Sequence, residues 1–326
     1  MPETSMARHF LAALAALALA GSAHAAAGSW PTHPVTIVVP YAPGGATDAV
    51  ARLVGQRMAE KLGQPFIVEN KPGGSSNIGM QAVARAAADG YTLLLVANSI
   101  ATNNSLFADL PFDGQRDFAP VGMIASAPLV VAVPAGSPFK TLGDLLARAR
   151  AKPGELTYAS PGIGSSAHLA GESLKQAAGI EVLHVPYKGA APALADMLGG
   201  RISFMPLNTV ESMSHIKGGK LRALAIARAS RMDLLPDVPT AAEAGVPGYE
   251  ESVWYGLAAP AATPPAVLDR LNAVLREVVD EAGVKQRLVD LGATPSPGTR
   301  QQFADFIARE RVRVAKVVKT ANIQAE

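Results

Sequence analysis

From Val35 onward, short β-branched or aliphatic runs alternate with longer segments whose apolar residues return every three or four positions. Val35–Val39 reads as a strand followed by a Gly-rich turn. A helix is predicted from about Asp48 to Leu62, where Val50, Leu53, Val54 and Met58 share one face and Arg52, Arg57, Glu60 and Lys61 lie elsewhere. Phe66–Glu69 and Tyr91–Ala97 read as further strands around a helix at Ile78–Ala88. Strands of unbroken apolar character between helices predict a parallel sheet covered on both faces.

The alternation then starts again. Leu129–Val133, Leu156–Ala159, Val182–Val185, Ile202–Met205 and Leu221–Ala227 are predicted strands. Helices are expected at Thr141–Arg150, near His168–Ala178, at Pro192–Leu198 and at Val210–Lys217. Thr141 with Asp144 has capping-box spacing, and Pro192 suits a first helical turn. After a strand at Val253–Ala258 only helices follow: Pro264–Ala282 behind Thr263 as cap, Val284–Leu291, and a last one opened by Thr299 and Gln302. Two strand–helix sets without a flexible linker predict an α/β protein of two lobes joined by crossing strands, with Leu129–Val133 and Val253–Ala258 as crossing candidates. The expected division is 26–127 and 251–326 in one lobe and 128–250 in the other.

The N-terminus changes the compartment. Arg8 and His9 precede the apolar run Phe10–Ala20, and Ala23-His24-Ala25 supplies a small-x-small end. Together these predict a secretory signal over residues 1–25, cleaved after Ala25 to release a periplasmic protein. The run is shorter than the roughly 20 residues a membrane-spanning helix needs. Cleavage removes Glu3 and Arg8, one charge of each sign, so the net charge stays at +2. That balance, without a basic stripe carrying aromatics, argues against nucleic acid as a partner. The sequence has no cysteine, which excludes disulfides, thiol nucleophiles, zinc–thiolate sites and a lipid-anchoring Cys.

Chemistry is sought where strands lead into helices, because open α/β sheets bind ligands beyond the carboxyl ends of their strands. Three such turns stand out: Pro40–Asp48, Ser160–His168 and Met205–Thr209. Amides of a first helical turn are unpaired and carry partial positive charge, so they attract a carboxylate without Arg or Lys. Thr47, Ser165, Ser166 and Asn208 can add side-chain hydrogen bonds, and a neutral His168 can donate one. Thr47, Asp48 and Ser165 equally suit helix caps, and Asp48 would repel an anion unless turned back onto its own helix. The loops Asn98–Asn103 and Tyr187–Ala190 are further candidates. Catalysis has little support: G-x-S-x-G, HExxH, GxxxxGK[ST] and GxGxxG are all missing. His33, His168, His184 and His215 are spaced unlike a metal site. A hydrolase built on Ser165 and His168 is the minor alternative, since residues three apart at a helix start usually serve capping.

The motifs Val39–Asp48, Glu69–Gly74 leading to Asn77-Ile78-Gly79, Tyr158-Ala159-Ser160, Gly164–Leu169, Val185–Gly189, Leu235–Thr240 and Trp254–Leu257 occur in that order along nearly the whole mature chain. In this they resemble the Bug family, the substrate-binding receptors of tripartite tricarboxylate transport systems. The resemblance implies a type II periplasmic-binding-protein fold, two Rossmann-like lobes with a ligand cleft between them, and no enzyme activity or cofactor. It implies a protein that closes on a small carboxylate, held largely by backbone amides and water, and then docks on membrane permease subunits; a monomer is the default expectation for a two-lobed receptor. A sensory receptor for the same ligands is the alternative. Matching positions make Tyr41, Ala46, Thr47, Ser99, Asn103, Ser165, His168, Gly189 and Asn208 the expected pocket. Many relatives carry an acid just before Asn208; Leu207 stands here, which weakens the expectation of a bound ammonium group.

Overall fold

The computed structural model describes residues 30–107 and 109–324; the expected leader, residues 1–25, lies outside them. Among the described residues no helix is long and apolar enough to cross a membrane. The first sheet holds β1 (Val35–Val39), β2 (Phe66–Asn70), β3 (Thr92–Val96), β4 (Phe118–Pro134), β9 (Ser252–Pro260) and β10 (Thr294–Pro295), in the order β2-β1-β3-β9-β4-β10. β1, β2 and β3 are parallel, as the alternation with helices predicted. β9, β4 and β10 are antiparallel to their neighbours, so the sheet is mixed rather than parallel throughout. The departure follows from β4 and β9 being adjacent partners that run between the lobes instead of units of a strand–helix–strand crossover.

The second sheet is built on the far end of β4, which pairs with β7 (Met205–Asn208) on one side and β8 (Leu221–Ile226) on the other. β5 (Thr157–Ser160) and β6 (Leu183–Pro186) are parallel, and Tyr158 bridges Phe204 just ahead of β7. The predicted strand at Leu129–Val133 is therefore one end of a 17-residue strand that serves both sheets. Its partner changes within one residue: Pro128 faces Ser252 of β9, and Leu129 faces Asn208 of β7. At that point the Leu129 amide donates to Glu251 O (2.9 Å), Glu251 N to Ala227 O (3.0 Å) and Ala227 N to Leu129 O (2.8 Å).

Each sheet is covered on both faces. Helices α1 (Ala46–Leu62) and α8 (Pro265–Asp280) bury Val50, Val54 and Met58, and Leu268, Leu271 and Leu275, against one face of the first sheet. On the other face α2 (Asn77–Ala84), α3 (Ser99–Leu106) and the start of α10 (Arg300–Thr320) enclose Met80, Ile100, Trp254 and Phe303. In the second lobe α4 (Leu142–Ala151) and α5 (Ser166–Ala178) cover one face, while α6 (Ala190–Leu198) and α7 (Thr209–Lys217) cover the other. The short α9 (Ala282–Asp290) joins α8 to β10. The end of α10 leaves its own lobe, and Val314 and Val318 pack with Leu169 of α5.

The boxes at Thr141/Asp144 and Thr299/Gln302 both form. Other local expectations are corrected. The α1 cap is Gly45, so neither Thr47 nor Asp48 caps that helix. Thr263 is not a cap either: its hydroxyl donates back to Pro260 O (2.7 Å), and Pro264 occupies the capping position. The segment Met205–Asn208, expected as a turn after a strand at Ile202–Met205, is itself strand β7. Pro206, which lacks an N–H, sits in the ladder opposite Val131.

Candidate functional site

The first lobe contributes three helix starts. In the β1–α1 loop the Tyr41 hydroxyl donates to Ser99 Oγ (3.1 Å), and Asn70 Nδ2 holds Tyr41 O (3.1 Å). Asp48 is turned back: its carboxylate accepts from Gly44 N (3.1 Å), from Asn70 Nδ2 (3.0 Å) and twice from Arg52 (both 3.0 Å). Burial opposes ionisation of Asp48, but the Arg52 guanidinium, the Gly44 amide and Asn70 outweigh it and lower its pKa. The negative charge is thus spent inside its own loop. Gly45 offers α1 no side-chain cap, so the first-turn amides depend on a partner from elsewhere. Thr47 lies half-buried in that turn.

In the β2–α2 loop Ser75 (φ 53°) and Ser76 (φ 77°) both occupy the left-handed region, which costs about 1–3 kcal/mol for each non-glycine residue. Asn103, buried in α3, pins this turn by donating from Nδ2 to Ser75 O (2.8 Å) and Asn77 Oδ1 (2.6 Å). Asn98, just before α3, donates to Ser252 O (3.1 Å) and accepts from Trp254 N (3.3 Å), tying this corner to the strand that crosses between lobes.

The second lobe faces these loops. Ser165 caps α5: its Oγ accepts from His168 N (3.3 Å) and donates to Gly162 O (2.7 Å). His168 Nδ1 accepts from Gly164 N (3.1 Å), which leaves the imidazole proton on Nε2. The His168 ring stacks on His184 (3.8 Å, 7°), whose Nε2 lies 2.7 Å from Ser160 Oγ. Burial lowers the His168 pKa to about 4 against the opposing pull of Glu172, with Lys175 a smaller lowering influence. Burial, with His168 and Lys175, takes His184 to about 3. Both rings are neutral at pH 7. No Ser165–His168 side-chain bond forms, so the nucleophile–base pair of the hydrolase alternative is not assembled. Gly189 N donates to Pro161 O (3.0 Å), tying the β6–α6 loop to the β5–α5 loop. Asn208 caps α7 by accepting from Glu211 N (2.9 Å).

Several contacts close the distance between lobes. A Cβ on Gly164 would stand 2.3 Å from Leu106 Cδ1 and 3.4 Å from Thr102 Cγ2, both on α3 of the other lobe. At the opposite side the Glu211 carboxylate on α7 approaches the start of α1, with Oε1 4.0 Å from where a Gly45 Cβ would lie. Burial raises the Glu211 pKa to about 7, more than Asn208 and the Ala46 amide lower it. Thr209 Oγ1 also donates across to Gly292 O (2.6 Å). Of the nine expected residues, Tyr41, Ala46, Thr47, Ser99 and Asn103 lie in loops and helix starts packed on the first sheet, and Ser165, His168, Gly189 and Asn208 in those of the second.

Sequence reasoning missed Glu211, Ser75 and Ser76, while Thr102 lay within the candidate loop Asn98–Asn103 and Tyr255 within the motif Trp254–Leu257. Glu211 stands three residues after a capping Asn, a spacing that reads as a solvated first-turn acid; only the approach of α1 gives it another role. Tyr255 is completely buried, and its hydroxyl has no hydrogen-bond partner. Two surface hollows lie elsewhere. One of about 560 Å3 is lined by charged residues between α1 and α8, and one of about 370 Å3 lies beside Thr299. Among the described residues no three His, Asp or Glu side chains gather as a metal site would require.

Comparison with known proteins follows the same geometry. Residues 50–323 match the family model described as tripartite tricarboxylate transporter family receptor. The chain is 38% identical to Protein BugT of Bordetella pertussis over 306 residues, covering 93% of this chain and 94% of that one. It superposes on R. palustris Rpa4515 with adipate at a TM-score of 0.87, with 38% identity over 90% of this chain and 99% of that one. It is also similar to MatC from Rhodopseudomonas palustris with bound malate, at a TM-score of 0.83 and 33% identity, covering 89% of this chain and 100% of that one.

Proposed function

The chain belongs to the tripartite tricarboxylate transporter receptor family, and from that premise we propose that it closes its two lobes on a small dicarboxylate and presents the closed form to membrane permease subunits. It is a solute-binding protein of a family of periplasmic receptors, not an enzyme. Two observations support dicarboxylates within the wider class of organic acids. The similar proteins were captured with adipate and with malate, each an aliphatic dicarboxylate. The cleft also presents helix starts from both lobes, which suits a ligand with a carboxylate at each end.

The observation that carries the reading is at the start of α1. That start has no side-chain cap, and the Glu211 carboxylate lies near it, with Oε1 4.0 Å from where a Gly45 Cβ would stand. An external carboxylate would use the uncapped first-turn amides. Around it Tyr41, Thr47, Ser99 and Asn103 are the proposed contacts on one lobe, and Ser165, His168, Gly189 and Asn208 those on the other. The lobes divide at 127/128 and 250/251, a reading supported by the partner switch of β4 and by the ring of bonds at Leu129, Glu251 and Ala227. Export with cleavage after Ala25 and action as a monomer complete the proposal.

Closure follows from contacts made better in the closed state than in the open one. A thermal-shift screen of mono-, di- and tricarboxylates, amino acids and aromatic acids tests the ligand class. Dicarboxylates should give the largest rise in Tm. A screen in which amino acids or neutral solutes win overturns that reading.

A further inference from the structure

Resting on the reading of the cleft as a carboxylate site, we propose that His184 is a positioning residue for capture: it fixes the β5–α5 loop and the ring of His168 so that His168 offers its Nε2 proton to a ligand oxygen. The residues that carry this stand in one file. Tyr158 of β5 and His184 of β6 are register partners on neighbouring parallel strands. Their rings stack at 4.9 Å, Tyr158 stacks on Phe204 at 5.8 Å on one side, and His184 stacks on His168 at 3.8 Å on the other. The file begins in the core of the second lobe, where Phe204 and Tyr158 are completely buried, and ends on the first turn of α5. Tyr158 is itself anchored, its hydroxyl donating to Glu172 Oε1 (2.7 Å). Stacked faces set the plane of a ring as well as its distance, so His168 takes its orientation from His184.

His184 also holds the loop directly. The Ser160 hydroxyl accepts from Gly162 N (3.2 Å) and donates to Gly162 O (3.0 Å), which leaves its second lone pair for His184 Nε2, 2.7 Å away. Gly162 O accepts in turn from the hydroxyl of Ser165 (2.7 Å), the cap of α5. Between these two anchors the chain presents Gly164 N to His168 Nδ1 at 3.1 Å. A ring nitrogen that accepts a backbone N–H carries no proton, so the one proton of the neutral ring sits on Nε2. Among the described residues Nε2 has no acceptor, which leaves that proton for a ligand. A ring held this way donates and cannot accept. It selects an oxygen with a free lone pair and turns away an ammonium or amide N–H at the same point. The support comes from a residue that need not touch the ligand, acting through the loop and the ring that do.

The test uses the mature protein with adipate and malate as probes. Nitrogen NMR of the histidine rings in wild type should show His168 as the Nε2–H tautomer, with that proton shifting when a probe binds. His184→Ala removes both attachments and should weaken the probe that binds by about 5- to 30-fold, the range of one coupled contact. His184→Phe restores the stack and His184→Gln the bond to Ser160, so each should recover part of the loss and still bind more weakly than wild type. In a His168→Asn background, which keeps an acceptor for Gly164 N but no Nε2 proton, the same changes at His184 should cost little further affinity. A residue that merely stabilises the fold would lower Tm and cost the same affinity in both backgrounds, and that result overturns the proposal. An Nδ1–H tautomer in wild-type His168 overturns it as well, as does a Kd that none of the His184 variants changes; the carboxylate reading survives all three results. If His184→Ala does not fold, the wild-type tautomer and the Phe and Gln variants decide the question. Failure of both probes to bind wild type overturns the carboxylate reading itself and the role of His184 with it.

Discussion

Substituting Gly164→Ala puts a wedge between the lobes at a position where the required displacement can be read directly. Gly164 has φ 76°, and the added Cβ would lie 2.3 Å from Leu106 Cδ1. Carbon atoms in contact prefer about 3.5–4 Å, so more than an ångström of overlap must be relieved. The left-handed backbone costs an alanine about 1–2 kcal/mol, and this falls on folding stability whether or not the lobes meet. The overlap is different, because it exists only while the β5–α5 loop rests on α3. Relieving it by shifting Leu106 or parting the lobes costs roughly 1–3 kcal/mol, which is a loss of about 5- to 150-fold in affinity if binding needs this arrangement. Isothermal titration with adipate measures that loss. Adding Leu106→Ala should restore most of the affinity while leaving the backbone cost in Tm, a non-additivity expected of residues in contact. Unchanged affinity in Gly164→Ala, or no recovery in the double variant, would show that this contact has no part in capture.

Glu211→Gln should also change stability without ligand. The folded pKa of about 7 stands above the ordinary 4.5, so the cost of the buried charge builds from pH 4.5 and is complete above 7. Allowing for the partial exposure of the residue, the variant should gain about 1–3 kcal/mol at pH 8 and nothing at pH 4, as denaturant melts at the two pH values will show. The pair His168 and His184 acts in the opposite sense. Their folded pKa values, about 4 and about 3, lie below 6.5, so the unfolded chain takes up protons first and stability falls as pH drops from 6.5 toward 4. Replacing both with Asn should flatten that limb of the stability curve; an unchanged slope would assign the acid limb to other groups. Arg313→Met should destabilise by roughly 2–4 kcal/mol, because Glu251 at the crossing is buried and loses both of its 3.1 Å contacts to that guanidinium. Pairing the change with Glu251→Gln should recover part of the loss in the same melt, and an equally unstable double variant would contradict the assignment.

The sequence carries local information well where one rule decides the outcome. The capping boxes at Thr141 and Thr299 and the apolar stripe of α1 are set by residues three or four apart, and they form as expected. The facing loops were legible for a similar reason, since Gly and Pro punctuation after a strand fixes where chain leaves a sheet. Decisions made by distant partners were not legible. Leu129–Val133 looks like a short strand because nothing in its neighbourhood tells that β9 will extend its pairing back to Phe118. Glu211 reads as a surface acid until α1 of the other lobe is placed against it. Asp48 falls between these cases: its repulsion of anions was foreseeable, and the remedy needed Arg52 one turn on and Asn70 from a neighbouring strand. Ser75 and Ser76 gave no signal, because their left-handed backbone is imposed by Asn103 from α3.

The most direct measurement compares adipate with its dimethyl ester, which keeps the length and the apolar chain but removes both charges. Binding the native state alone stabilises by RT ln(1 + [L]/Kd), about 2.7 kcal/mol at one hundred times Kd. If unpaired amides at facing helix starts are the recognition element, the acid should raise the Tm by that free energy and the ester should leave it unchanged at equal concentration. Equal stabilisation by acid and ester would mean that the cleft recognises the hydrocarbon chain and not the carboxylates.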